Sequence, residues 1–419
     1  MVSHTQPMAF TAAADCDLSR EDSLRRWLAL HTEPPLEPEL PFVDCHHHLM
    51  DHREPKGNLR PIEEARPEAF RLFLGPTTPM YGCRYLLDEY AEDIATSGHN
   101  VTHTVYLEAS SFYLPDGPPA LRPVGEVQFA QGVAAMSASG RYGPTKVCAA
   151  IVGFADMGLG AEVGAVLDAH AASPNFRGVR HSVQWDAHPE LAFRADAAPR
   201  RLYEPHFRAG LAELAKRGLS YDVSLFHHQL SELADAARAL PELTIVLNHC
   251  GHALGVGPYA DKRDEVWEAW RVGLSDVASC PNTICKLGGR TQPGGGFGFD
   301  RRDRPPTSDE IAEALAPWYH HALREFGPER CMFETCVRPH LPAVDKIVMG
   351  SAGTDAMCSC RNFPPDKASC SYGVLVNAFK KIADSAGLSA AEKEQVFAGT
   401  AMRVYRIGDG GGEGGDGKL

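Results

Sequence analysis

The chain has 419 residues, a formal net charge of −13 and 44% hydrophobic residues. That charge, with no prominent Lys/Arg run, argues against nucleic acid or an acidic membrane surface as the main partner. A small molecule is the expected partner, with room for a homo-oligomer. No apolar run reaches membrane-spanning length, and the N-terminus lacks the charged-then-apolar order of a secretory signal, so a cytoplasmic location is expected. The 12 cysteines are scattered, several in apolar runs such as those around Cys148, Cys250 and Cys285. That placement suits reduced, buried thiols. Cys358 and Cys360 have no second pair at zinc-ribbon spacing.

Residues 1–40 are polar and proline-bearing and read as an N-terminal extension with a short helical stretch at 24–30. Then Pro41-Phe42-Val43-Asp44-Cys45 runs straight into His46-His47-His48. Strand alternation places His46 and His48 on one face and His47 on the other. Two imidazoles so fixed can hold a divalent cation or polarise a carbonyl, and the bland alternative is a solvated histidine loop. Seven further short runs rich in Val, Ile and Leu follow, at 101–108, 146–154, 176–183, 219–226, 243–249, 283–287 and 330–335. They lack strict alternation, as buried parallel strands do. Helical segments are expected at 85–96, 162–172, 205–216, 230–239, 264–277 and 308–325, with a closing pair at 372–385 and 390–405.

The alternation predicts an α/β fold, a closed (β/α)8 TIM barrel over 41–407, ahead of an open doubly wound sheet. No Gly-x-Gly-x-x-Gly follows a strand, so nucleotide binding lacks support. The tail, 408–419, is Gly-rich and expected to be disordered.

Barrel chemistry sits at the C-terminal ends of the strands, which directs attention to the polar residues there. His46 and His48 end the first strand, Glu108 the second, and Asp156 follows the third. Arg180 and His181 lie in the fourth, His227 and His228 follow the fifth, and His249 ends the sixth. Lys286 interrupts the apolar seventh, where a charge is costly without a partner. For Glu108, Asp156 and Arg180, a salt-bridged rim residue is the competing reading.

The elements Val43-Asp44-Cys45-His46-His47-His48, Phe176-Arg177-Gly178-Val179-Arg180-His181, Asn248-His249-Cys250-Gly251, Lys286-Leu287-Gly288-Gly289 and Asn362-Phe363-Pro364-Pro365-Asp366-Lys367 occur in this order. In that order the chain resembles the amidohydrolase-related family, most of all the branch with sugar-lactone and aromatic-lactone hydrolases. The resemblance spans roughly 40–407. It implies a distorted barrel, a water nucleophile and a rim site whose histidines bind metal or substrate. The matching residues are His46, His48, His227 and His249. A divalent ion, zinc by its ligand types, is the implied cofactor, although metal dependence varies within the branch. Arg180, His181, Lys286 and Asn362 would hold substrate, with Arg180 and Lys286 on a carboxylate or developing oxyanion.

Two departures stand out. Relatives carry an aspartate base just after the eighth strand, where this chain has Asn362, which cannot act as a base near neutrality. Asp366 and Glu108 become the candidate bases beside a catalytic His249, and a metal that acidifies water lessens the need for a strong base. Secondly, 336–361 reads as an insertion between Met332-Phe333-Glu334-Thr335 and Asn362-Phe363-Pro364. Without it the chain runs Phe-Glu-Thr-Asn-Phe-Pro-Pro-Asp-Lys. Its ends, at Cys336-Val337 and Cys360-Arg361, can be encoded with splice signals, which suggests a retained intron; a genuine long loop is the alternative.

The expected activity is hydrolysis of a small lactone or cyclic carboxylate ester. Non-oxidative decarboxylation of an aromatic acid is the second reading. Relatives of that kind commonly carry an acidic residue in place of the first metal-site histidine, so His46 favours hydrolysis. A barrel that only binds ligand is the third, prompted by Asn362 and the insert.

Overall fold

The computed structural model describes residues 24–51, 84–191, 197–336 and 365–408. Asn362 and 337–361 lie outside the described residues, as does 409–419 of the tail. Eight parallel strands form one sheet in chain order: β1 (Phe42–His47), β2 (Val101–Leu107), β3 (Lys146–Gly153), β4 (Phe176–Arg180), β5 (Ser220–Val223), β6 (Ile245–Leu247), β7 (Thr283–Leu287) and β8 (Cys331–Phe333). The helices between them are α1 (Leu87–Ser97), α2 (Val124–Ala138), α3 (Gly164–Ala171), α4 (Pro205–Lys216), α5 (Leu230–Ala239), α6 (Arg263–Ala278) and α7 (Ser308–Phe326). After β8 come α8 (Tyr372–Ser385), α9 (Ala390–Glu394) and α10 (Thr400–Val404). This is the expected (β/α)8 barrel. The strands are short and buried on both faces, so they need no polar side.

Side chains bridge the seam between β8 and β1. Asp44 accepts hydrogen bonds from the Thr335 amide (3.2 Å) and hydroxyl (2.6 Å), and the Cys45 thiol donates to the Phe333 carbonyl (3.0 Å). Tyr90 and Tyr372 hydroxyls also donate to Asp44, which fixes the first strand against α1 and α8.

Two apolar layers result. One lies between sheet and helices; the other fills the barrel with Val43, Cys45, Val105, Leu107, Val152, Val246, Ile284 and Met332. Ala401, Tyr405 and Ile407 join the second layer, so the C-terminal helix plugs the barrel. At the other end of the chain, Leu24 and Leu28 are buried in the sheet–helix layer. Glu33 accepts from the Ser308 amide (2.7 Å) at the start of α7, and Lys380 of α8 donates to the Leu36 and Glu37 carbonyls. Residues 24–40 are thus tied to the outer helices.

Candidate active site

The pairing register of β1 with β2 shifts between Asp44 and His47. Such an irregularity re-aims the side chains beyond it. His47 turns outward, where its ring stacks on Tyr90 (4.5 Å between centroids) and its Nε2 lies 2.8 Å from the Thr104 hydroxyl. His46 and His48 turn inward, with their Nε2 atoms 3.2 Å apart. His249 meets them from the end of β6, its ring 4.5 Å from that of His46. The backbone there enters the left-handed region at His249 (φ +54°) and Cys250 (φ +51°), which non-glycine residues seldom adopt and which concentrates at functional sites.

Glu334, one residue past β8, sits behind this cluster. Its Oε1 is 2.5 Å from His249 Nδ1 and accepts from the His249 amide (3.0 Å). Its Oε2 is 2.6 Å from His46 Nδ1. Burial pushes the Glu334 carboxyl up to about 8, against the downward pull of the Lys286 ammonium. Burial also holds His46 well below the usual imidazole range, helped by the nearby Lys286 cation.

The glycines after Lys286 make this approach possible. A Cβ at Gly288 would fall 2.3 Å from Glu334 Cγ, and one at Gly289 2.5 Å from His249 Nδ1. Lys286-Leu287-Gly288-Gly289 is therefore a steric requirement of the cluster, since any side chain there would displace Glu334 or His249.

The residues fit a metal ion. His48 Nδ1 is 2.9 Å from the Leu107 carbonyl, so all three imidazoles have Nδ1 beside an oxygen acceptor, the arrangement that leaves Nε2 to act as ligand. A tetrahedral zinc with bonds of about 2.0–2.1 Å spaces its ligand nitrogens roughly 3.3 Å apart. The His46–His48 separation is close to that. Cys336 Sγ lies 3.5 Å from His249 Nε2, and one ligand atom from each of His46, His249 and Cys336 falls within 4.8 Å of the others.

Arg180 is the cation at this cluster, with Nη1 3.4 Å from His46 Nε2. Its Nε donates to Glu108 Oε1 (3.0 Å), and Nη2 donates to the Glu108 carbonyl. Glu108 therefore orients Arg180, a geometry that suits an anchor better than the expected base.

Other expected residues lie elsewhere. Lys286, expected to hold a substrate carboxylate, is wholly buried inside the barrel, with Nζ 2.9 Å from Asp222 Oδ2, which also accepts from the Tyr405 hydroxyl (2.8 Å) and Asn248 amide (3.1 Å). A cation in an apolar strand found its partner on β5, two strands away in the barrel, rather than at the rim. His181, expected on substrate, turns to the helix layer: Nδ1 accepts from the Met157 amide (3.1 Å) and the ring packs 5.1 Å from Phe207. His227, expected as a ligand, is outside the His46–His249–Cys336 group. Its ring meets Tyr259 edge-on at 5.2 Å, its Nδ1 has no hydrogen-bond partner, and burial takes it down to about 3. Asp366 is buried against the Thr291 hydroxyl, and burial raises its carboxyl well above the usual range. That opposes the charged form a base needs.

Sequence reasoning missed Glu334 and Cys336 as site residues. For Glu334 the signal was a carboxylate directly after the apolar run Cys331-Met332-Phe333, a buried strand end.

The relocation of Lys286 changes what its substitution should do. Lys286→Met leaves Asp222 buried without its cation and should cost about 3–5 kcal/mol of stability. Urea unfolding of the two proteins checks this. Unchanged stability with selective loss of carboxylate substrates would return Lys286 to a substrate-binding role.

The amidohydrolase family profile matches residues 43–407. The y4mH protein of Sinorhizobium fredii, itself uncharacterized, is 30% identical over 377 residues, covering 88% of this chain and 99% of that one. The L-fucono-1,5-lactonase of Burkholderia multivorans is 28% identical over 259 residues, 62% of this chain and 72% of the relative. Among solved structures, a Burkholderia multivorans amidohydrolase with bound zinc superposes with a TM-score of 0.57 at 21% identity, covering 87% of this chain and 99% of that one. With a profile match running from the first strand to the closing helix, this chain belongs to the amidohydrolase family.

Proposed function

We propose that this hydrolase opens a small lactone or cyclic carboxylate ester by water attack at the His46–His48–His249 cluster. The observation that carries the reading is that cluster itself, three imidazoles with Nδ1 at an oxygen and Arg180 beside them. The L-fucono-1,5-lactonase relative supports the bond type. His46, His48 and His249 would hold a divalent ion, zinc by donor type. Such an ion would supply polarisation of the carbonyl and acidification of water, which would answer the lack of an aspartate at Asn362. Arg180 stabilises the negative charge that develops on the carbonyl oxygen, and Glu108 keeps its guanidinium aimed. Ring opening leaves a hydroxy acid, whose carboxylate the same arginine can accept.

The test is a panel of five- and six-membered lactones, with an aromatic carboxylic acid as control, assayed on zinc-loaded and chelator-treated protein. Metal-dependent lactone opening is expected. Release of carbon dioxide from the acid with no lactone opened would overturn the reading in favour of decarboxylation.

A further inference from the structure

We infer that Glu334 is a positioning residue that grips His46 and His249 through one carboxylate and so sets both imidazoles to present Nε2 to the metal. The inference rests on the metal-assisted reading of the cluster but concerns a residue outside its ligands.

The geometry is bidentate. One carboxylate oxygen lies 2.5 Å from Nδ1 of His249 and the other 2.6 Å from Nδ1 of His46, and the three side chains are almost wholly shielded from water. The His249 contact is a formed hydrogen bond; His46 Nδ1 and Glu334 Oε2 approach to 2.6 Å without hydrogen-bond alignment, and since neither atom has any other partner, each is the one available complement of the other. Burial raises the Glu334 carboxyl to about 8, so the ionised form is the one present above that pH or with a cation bound beside it; in that form the carboxylate has only acceptor sites and selects the tautomer with the proton on Nδ1 at each ring. That leaves Nε2 as a lone pair on both. A third contact, from the His249 amide to Oε1 (3.0 Å), ties the left-handed turn after β6 to the same group. The site is built around this carboxylate, since Gly288 has no room for a Cβ beside Glu334 and Gly289 none beside His249. Carboxylate partners of metal-ligating histidines orient the ring and raise its basicity, and losing one typically weakens metal binding about 10- to 100-fold.

Glu334→Gln is the discriminating variant. An amide offers one acceptor and one donor, so it can suit the Nδ1–H tautomer of only one ring. The other imidazole must move its proton to Nε2 and cease to be a ligand.

In the metal-free protein labelled with 15N at histidine and held near pH 9, above the Glu334 value of about 8, two-bond 15N–1H correlation spectra should assign Nδ1–H to both His46 and His249, with single His→Gln variants providing the assignments. In Glu334→Gln one of the two should switch to Nε2–H. Zinc affinity, measured by competition with a chromophoric chelator, should fall about 10- to 100-fold. Glu334→Asp keeps the charge but is one methylene shorter, and it should regain part of that affinity. It also serves as the folded comparison if the glutamine variant does not fold. Tautomers and zinc affinity that match the wild type in a folded Glu334→Gln overturn the inference, and so, whether or not that variant folds, does a wild type with its proton on Nε2 of His46 or His249. Loss of lactone turnover plays no part in this decision. A wild type that binds zinc as described yet opens no lactone would sink the proposed function and leave the role of Glu334 standing.

Discussion

His46→Ala is expected to reduce turnover by on the order of a thousandfold, the scale seen when a group aimed at developing charge is removed. The imidazole joins three parts of the site: Nδ1 lies on Glu334, and Nε2 lies 3.2 Å from His48 Nε2 and 3.4 Å from the Arg180 guanidinium. Deleting it removes a ligand and also the close ring contact, 2.6 Å, of a buried Glu334 oxygen, so a stability loss of about 1–3 kcal/mol should accompany the kinetic one. His48→Ala should have a similar kinetic effect. His47→Ala is the contrasting variant, since its ring lies among Tyr90, Tyr106 and the Thr104 hydroxyl in the outer layer. It should lower stability while its kcat stays within a few-fold of wild type. Steady-state kinetics at saturating zinc, with melting curves, separate the cases. Near-normal activity in both His46→Ala and His48→Ala would mean that the reaction occurs elsewhere.

The contrast between His46 and His47 shows what the primary structure could reveal. Period-two alternation correctly separated His47 from its neighbours, because adjacent strand residues face opposite ways. Which face was which depended on the register shift after Asp44, a property of pairing with β2 that no local pattern encodes. The eight strands were legible because burial on both faces demands unbroken apolar runs. Helix α2 was not foreseen. Its sequence, Val-Gly-Glu-Val-Gln-Phe-Ala-Gln-Gly-Val-Ala-Ala-Met-Ser-Ala, carries small residues all round, with no apolar stripe to mark a face.

Charged residues were harder to place than apolar ones. Lys286 was visible as an anomaly, but its partner Asp222 lies 64 residues earlier and could not be paired with it from pattern alone. The same holds for Glu334 and His249, 85 residues apart, which meet because β6 and β8 flank the glycine-ended β7. Long-range pairing is a consequence of barrel closure. Once that closure is known, a carboxylate at the end of β8 and a histidine at the end of β6 must converge on one mouth.

Joining Thr335 directly to Asn362 should give a protein that turns over lactone about a hundredfold faster than the full chain, and that is more stable. Thr335 is pinned to Asp44 by two hydrogen bonds and so fixes where the chain leaves β8. In the joined chain, Asn362 would follow that anchor directly, and a displacement of even about 1 Å in a site group can cost a hundredfold in rate. Cys336 gives the test a second edge. Its thiol sits 3.5 Å from His249 Nε2, and its backbone is left-handed at φ +32°, an arrangement that the joined chain lacks. If the thiolate contributes a bond to the ion, the cobalt-loaded full chain should show a sulfur-to-metal charge-transfer band that Cys336→Ser and the joined chain both lose. Transcript sequencing tests the origin of the segment, and messages that all include its codons would remove the intron explanation. Kinetics on the two purified forms tests the consequence: a full chain more active than the joined one would make residues 336–361 a working part of the enzyme.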